Sequence, residues 1–327
     1  VEASQHHQHE EKGLMAALLA GVFLGWSLGA NDASNVFGSA VASRMLKFWT
    51  AAVLASLFVL VGALLQGHAG IETLKDLTSL NLEQAAICSV AAALTVTTMT
   101  VLALPVSTSQ AVVGGILGIG LLNRQLNLED LGKVFVCWFG TPIGGLVIAI
   151  FLYKALAGVY NQLRITLFES DAALRLALIL AGAYAAYALG ANNVANVTAV
   201  FVGAEQLSSF AALLVGGLSI GLGILTYSRR VIETVGRRLV RLDPFSALVV
   251  VFAEAITVHI YAFIGVPVST SQAVVGAVLG VGIVKGIETV RKRTLLNILV
   301  GWFFTPFVAI LIAMFLYVAI HLKYMPQ

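Results

Sequence analysis

Five amides and one carboxylate fall in two short runs. Asn31, Asp32 and Asn35 lie in Gly29–Val36, and Asn192, Asn193 and Asn196 lie in Gly190–Val197. A second pair of runs is identical over ten residues: Pro105–Gly114 and Pro267–Gly276 both read PVSTSQAVVG. In each, a proline introduces hydroxyls and an amide ahead of an apolar stretch, 111–122 or 273–284, that reads as a short helix. Proline suits a break or a first helical turn. The free N–H groups and positive dipole end of a helix N-terminus favour an anion. Two such N-termini facing each other would clasp one tetrahedral oxyanion, with Ser107, Thr108, Ser109 and Gln110 on one side and Ser269, Thr270, Ser271 and Gln272 on the other. The Asn runs offer the opposite chemistry. Residues four apart share a helix face, and amide and carboxylate oxygens are hard ligands suited to Na+. Asn31, Asp32, Asn35, Asn192, Asn193 and Asn196 are therefore the candidate cation ligands. Plainer roles stand beside these: Ser and Thr also satisfy carbonyls of their own helix, and amides also tie helices together.

The surroundings give these runs their weight. Hydrophobic residues make up 59% of the chain and charged residues 11%, about half the charge of a soluble domain. Mean hydropathy is +0.94. Several windows exceed the ~18 apolar residues that mark a membrane helix. Unpaired polar groups are costly there, so a polar run kept twice lines a site or a path. A carboxylate such as Asp32 in a membrane segment is read as functional by default. Cys88 and Cys137 both lie in apolar segments and read as small core residues, with no disulfide expected.

The repeat extends further. Trp138-Phe139-Gly140-Thr141-Pro142 matches Trp302-Phe303-Phe304-Thr305-Pro306. All three matches keep their order, which divides the chain into a polar N-terminal tail (1–11, a tag remnant or a natural tail), a first repeat (12–165) and a second (172–327). No cleavable signal peptide is expected, because the first apolar stretch is long and runs into a repeated motif. Apolar segments span about 14–43, 49–67, 85–122, 134–158, 172–202, 209–227, 246–284 and 295–320. The long segments 85–122 and 246–284 each read as a hairpin with both ends on one side. Loops 228–243 and 285–293 are basic, through Arg229, Arg230, Arg237, Arg238 and Arg241 and through Lys285, Arg291, Lys292 and Arg293. The positive-inside rule places them in the cytoplasm. Loops 68–84 and 123–133 are not basic, so the first hairpin faces outside. The halves are then inserted in opposite senses, both termini fall outside, and the fold class is an all-α polytopic membrane protein of two inverted-topology repeats with 10 to 12 helices. That is a transporter architecture.

GANDASN, GANNVAN and the doubled PVSTSQ motif resemble those of the inorganic phosphate transporter (Pit) family, which includes sodium-dependent phosphate symporters. The resemblance covers the chain past its tail. It implies import of inorganic phosphate across the cell (plasma) membrane by alternating access, with Na+ as the coupling ion, no cofactor and a homodimeric assembly. It carries phosphate binding to Ser107–Gln110 and Ser269–Gln272 and ion binding to the six residues of the Asn runs. Asn193 departs from the pattern, since many members have Asp there, which removes a possible charge from one cation site and leaves the ion stoichiometry and the proton-coupled reading open. A proton-coupled phosphate carrier, a carrier of sulfate or arsenate, and a passive anion channel remain as alternatives.

Other polar residues interrupt apolar sequence. Glu254 and His259 stand where the first half has Ala92 and Thr97. Glu254 is a candidate coupling group, or a buried acid that is paired or protonated. Thr95 and Thr257 are equivalent and either line a path or pack. Gln66 and His68 are given no role. With no nucleophile–base pair or HExxH motif, an enzyme is not expected, and neither is a nucleic-acid partner.

Overall fold

A computed structural model describes residues 2–77, 79–102, 106–162, 166–238, 242–286 and 292–323, with backbone alone at 2–12, 167, 233–238, 292–295, 297–298 and 323. Several residues that set the loop-charge argument, Arg237, Arg238, Arg241, Arg291, Lys292 and Arg293, have side chains outside this description, as does Pro105. The described residues form eleven helices and no strand: α1 (Glu2–Ala42), α2 (Phe48–Gln66), α3 (His68–Lys75), α4 (Leu82–Val101), α5 (Thr108–Asn123), α6 (Leu128–Gln162), α7 (Leu167–Gly203), α8 (Ser209–Arg238), α9 (Pro244–Ile264), α10 (Thr270–Lys285) and α11 (Lys292–Lys323). Eight are long and apolar enough to cross a membrane, and α5 and α10 are shorter apolar helices.

Both expected hairpins are present, as α4–α5 and α9–α10. Asn81 opens α4 with a capping box completed by Gln84, and Asp243 caps α9 through the Ser246 N–H. Gly265 ends α9 at φ 81°, a left-handed conformation that glycine adopts without strain. The half-helices begin earlier than residues 111 and 273. Ser107 and Ser269 are their N-caps, so Thr108–Gln110 and Thr270–Gln272 form the first turns.

Loop 68–84 contains a helix that its composition hides. In α3, Glu72 pairs with Lys75 at 2.5 Å, while Gly70, Ile71 and Leu74 are buried. Gly70 leaves α3 close against Ala195 of α7 and Pro267. The N-terminal tail also continues helically into α1 from Glu2.

The two halves interlock. α1 packs along α8, α2 along α7, α5 along α11, and α10 along α6. Glycines make this possible, and they do so in matched pairs. A Cβ on Gly29 would strike the Ile220 carbonyl, and one on Gly190 the Val59 carbonyl. Gly62 abuts the Tyr187 carbonyl as Gly223 abuts that of Trp26. Gly276 of α10 meets the Pro142 carbonyl, and Gly114 of α5 meets that of Pro306. Small residues let helix backbones come together in this way. Before each of these prolines, Thr141 and Thr305 donate to the carbonyls of Cys137 and Gly301, both at 2.6 Å. Both cysteines are free thiols, with Cys88 buried.

Candidate functional site

The N-termini of α5 and α10 meet in the centre of the bundle. Ser109 Oγ, in the first turn of α5, donates to the carbonyl of Val268, just before the α10 cap, at 2.9 Å. The caps are alike: the N–H groups of Gln110 and Gln272 donate to Ser107 Oγ and Ser269 Oγ, each at 3.3 Å. The leading N–H groups of each half-helix have no carbonyl one turn earlier to bond. Ser109 and Thr270 are 1% and 2% exposed, so these dipole ends point into protein.

The middles of α1 and α7 supply the amides. Asp32 Oδ1 accepts from Asn31 at 2.9 Å and Oδ2 accepts from Asn193 at 3.2 Å, so one carboxylate joins the two runs. Asn193 Oδ1 accepts from Asn192 and Asn196, both at 2.9 Å. The runs then reach the half-helices. Asn35 Nδ2 donates to Thr270 Oγ1 and Ser271 Oγ of α10, both at 3.1 Å. Its counterpart Asn196 donates to Ser109 Oγ of α5 at 2.9 Å. Asn192 is clamped to Val268, donating to its carbonyl at 2.8 Å and accepting from its N–H at 3.1 Å. The hydroxyls of Thr108 and Thr270 face the Asp32 carboxylate.

Three buried acceptor oxygens in this cluster have no partner, Gln110 Oε1, Gln272 Oε1 and Asn196 Oδ1, and Thr108 Oγ1 has only Asp32 before it. An unpaired buried polar group costs about 1–3 kcal/mol. Together they mark a place that a polar ligand would complete. The Ser271 hydroxyl proton can turn toward an anion, those of Thr108 and Thr270 can serve either Asp32 or an anion, and that of Ser109 is committed to Val268. The Asp32 carboxylate and Asn196 Oδ1 offer oxygens to a cation, the carboxylate retaining lone pairs beyond the two amide bonds.

All fourteen residues of the two motif pairs converge here. Glu254 of α9 lies within electrostatic reach of Asp32, and neither of its oxygens has a hydrogen-bond partner. His259 stands apart, bonded to Tyr184 at 2.7 Å and to Gln66 at 2.6 Å, which gives Gln66 a tying role. Thr95 and Thr257 bond the carbonyls of Ala91 and Ala253 on their own helices. Two participants were not singled out from sequence. Thr100 donates to Asn31 Oδ1 at 3.2 Å; the cluster Thr97, Thr98 and Thr100 in an apolar segment was its signal. Val268 acts through its backbone, and its side chain gave no sign of it.

The model of the phosphate transporter family matches residues 28–313. The Methanocaldococcus jannaschii protein named "Putative phosphate permease" is 31% identical over 295 residues, covering 90% of this chain and 94% of that one. The sulfate permease CysP of Bacillus subtilis is 28% identical over 315 residues, covering 94% and 88%. A solved structure described as a sodium-dependent phosphate transporter superposes with a TM-score of 0.82 at 25% identity, covering 95% of this chain and 99% of that one.

Proposed function

The chain belongs to the phosphate transporter family, and from that premise we propose that it imports inorganic phosphate coupled to Na+ by alternating access. The observation that carries this reading is the meeting of two helix N-termini beside a carboxylate ringed by amides. Phosphate is held between the first turns of α5 and α10, by Thr108, Thr270 and Ser271 hydroxyls and the leading N–H groups, with Ser107 and Ser269 fixing the turns and Gln110 and Gln272 alongside. Ser109, Asn192 and Asn193 hold the frame. Na+ sits toward Asp32 and Asn196, with Asn31, Asn35 and Asn193 orienting the carboxylate and the hydroxyls. Anion and cation bound side by side lower each other's cost in a low dielectric. The glycine contacts shared between 12–165 and 172–327 support two repeats of one unit. Loop charge supports their inverted insertion in the plasma membrane with both termini outside.

The test is uptake of radiolabelled phosphate into proteoliposomes with and without an inward Na+ gradient at fixed pH. A several-fold rise with Na+, blocked by unlabelled phosphate but not by sulfate, is the expected result. Uptake driven by a proton gradient and indifferent to Na+ overturns the choice of ion. The sulfate permease among the relatives favours a second reading, in which sulfate is the substrate. Sulfate carries no proton at neutral pH, so competition between the two anions across pH separates the readings.

A further inference from the structure

Glu254 lies outside the ring of amides, yet it is the most completely enclosed charge-bearing side chain near the site. It is 0% exposed, and both carboxyl oxygens lack any hydrogen-bond partner. A carboxylate in that position, ionised and unpaired, costs several kcal/mol. The groups brought by the elements packed on α9 leave that cost uncancelled. From α1 comes Asp32, a like charge. On α7, Tyr184 bonds His259 of α9, and Tyr187 stacks edge-on against the same ring. On α6, Tyr153 packs on Phe245, and Cys137 lies beside Tyr261. Lys285 of α10 pairs with Asp243 at the far end of the hairpin. On α3, Glu72 pairs with Lys75 and faces His68. No cation among the described residues reaches Glu254.

The repeat makes this position informative. Asp32 of the first half corresponds to the neutral Asn193, and Glu254 of the second half corresponds to Ala92. Each half thus brings one buried carboxyl within electrostatic reach of the other. The Asp32 carboxylate is hydrogen-bonded by two amides, one on each oxygen. Glu254 has no such partner.

We infer that Glu254 is a proton-binding coupling group, loaded from water together with the anion and unloaded when the anion leaves. This rests on the oxyanion-carrier reading above and adds a proton to it. The step is a protonation alone: the carboxylate takes one proton from the loading side and returns it on the other. A bound anion opposes a further negative charge nearby, so anion binding strengthens proton binding. By linkage, the proton strengthens anion binding by the same factor.

The experiment uses proteoliposomes with equal Na+ on both sides and a lower pH outside. The parent protein accumulates radiolabelled phosphate down the proton gradient. Glu254→Gln loses that accumulation while still exchanging labelled for unlabelled phosphate at equal pH, and Glu254→Asp regains it. The protonation of phosphate itself is common to all three and cancels. Accumulation by Glu254→Gln at the parent level overturns the proposal. So does loss of exchange in both variants, which would make Glu254 a packing residue. If the parent moves no phosphate, the substrate reading fails, and infrared titration of the purified protein still decides the proton site. A protonated-carboxyl band present in the parent and missing in Glu254→Gln supports it, and identical spectra overturn it.

Discussion

Asn31 and Asn192 occupy the same place in the two halves and do different work. Asn192 is 1% exposed and holds the Val268 backbone through two hydrogen bonds. Asn31 is partly exposed and accepts from the Thr100 side chain. The half-helices differ in the same way. Ser109 is buried and both accepts and donates, whereas its counterpart Ser271 is partly exposed and only accepts. Asn31 and Ser271 thus keep accessible surface that Asn192 and Ser109 lack. A duplicated sequence has folded into one more enclosed and one more exposed flank, although the residue types at these positions are the same.

The carboxylate sharpens this comparison most. Asp32→Asn makes the two Asn runs electrically alike. It should lower Na+-driven phosphate uptake by about 100-fold, or about 2.7 kcal/mol, with no change in melting temperature; uptake at the parent rate would break the cation assignment. Next come the matched glycines. A Cβ on Gly276 is forced into the Pro142 carbonyl, while one on Gly114 comes to 2.6 Å from the Pro306 carbonyl. Gly276→Ala should destabilise by about 1–3 kcal/mol in thermal unfolding, and Gly114→Ala by less; the reverse order would mean that the halves do not pack as described. Asn192→Ala should cost about 1–3 kcal/mol by leaving Val268 under-bonded, and Asn31→Ala a smaller amount, because water replaces its lost bond. In a background lacking Cys88 and Cys137, Ser271→Cys should react with a membrane-impermeant thiol reagent admitted from the open side and Ser109→Cys should not. Equal labelling would remove the distinction between flanks.

The smallest effect lies at the rim. Burial pushes the Asp243 carboxyl up, but Lys285 and the N–H and hydroxyl of Ser246 outweigh it and hold it at about 2, below its ordinary 3.8. A carboxyl lowered on folding contributes stability that is present above its unfolded value and lost as pH falls from about 3.8 through about 2. Acid unfolding of Asp243→Asn should lack that slope, and the parent curve should keep it.

The central chemistry was legible because polar residues are costly in apolar sequence, so GANDASN, GANNVAN and the doubled PVSTSQ stand out against their surroundings. The hairpin breaks were legible from proline and segment length. What stayed hidden has a common cause. Val268 works through backbone atoms that every residue type shares. The burial of α3 depends on Ala195 and Pro267, far away in sequence, and its charges read as loop. The difference between Asn31 and Asn192 arises from neighbours such as Thr100, whose place near Asn31 is fixed only by the packing of α4 on α1.

The exchange of partners between halves also governs how the protein is made. α1 carries Asp32 into the bilayer early in synthesis, yet the helix it packs along, α8, begins only at Ser209. Asn193, which bonds Asp32, lies 161 residues after it, in α7. Until α7 is made, the Asp32 carboxylate lacks one of its two amide partners. The packing of α1 and α2 is therefore completed only once α7 and α8 of the second half are present.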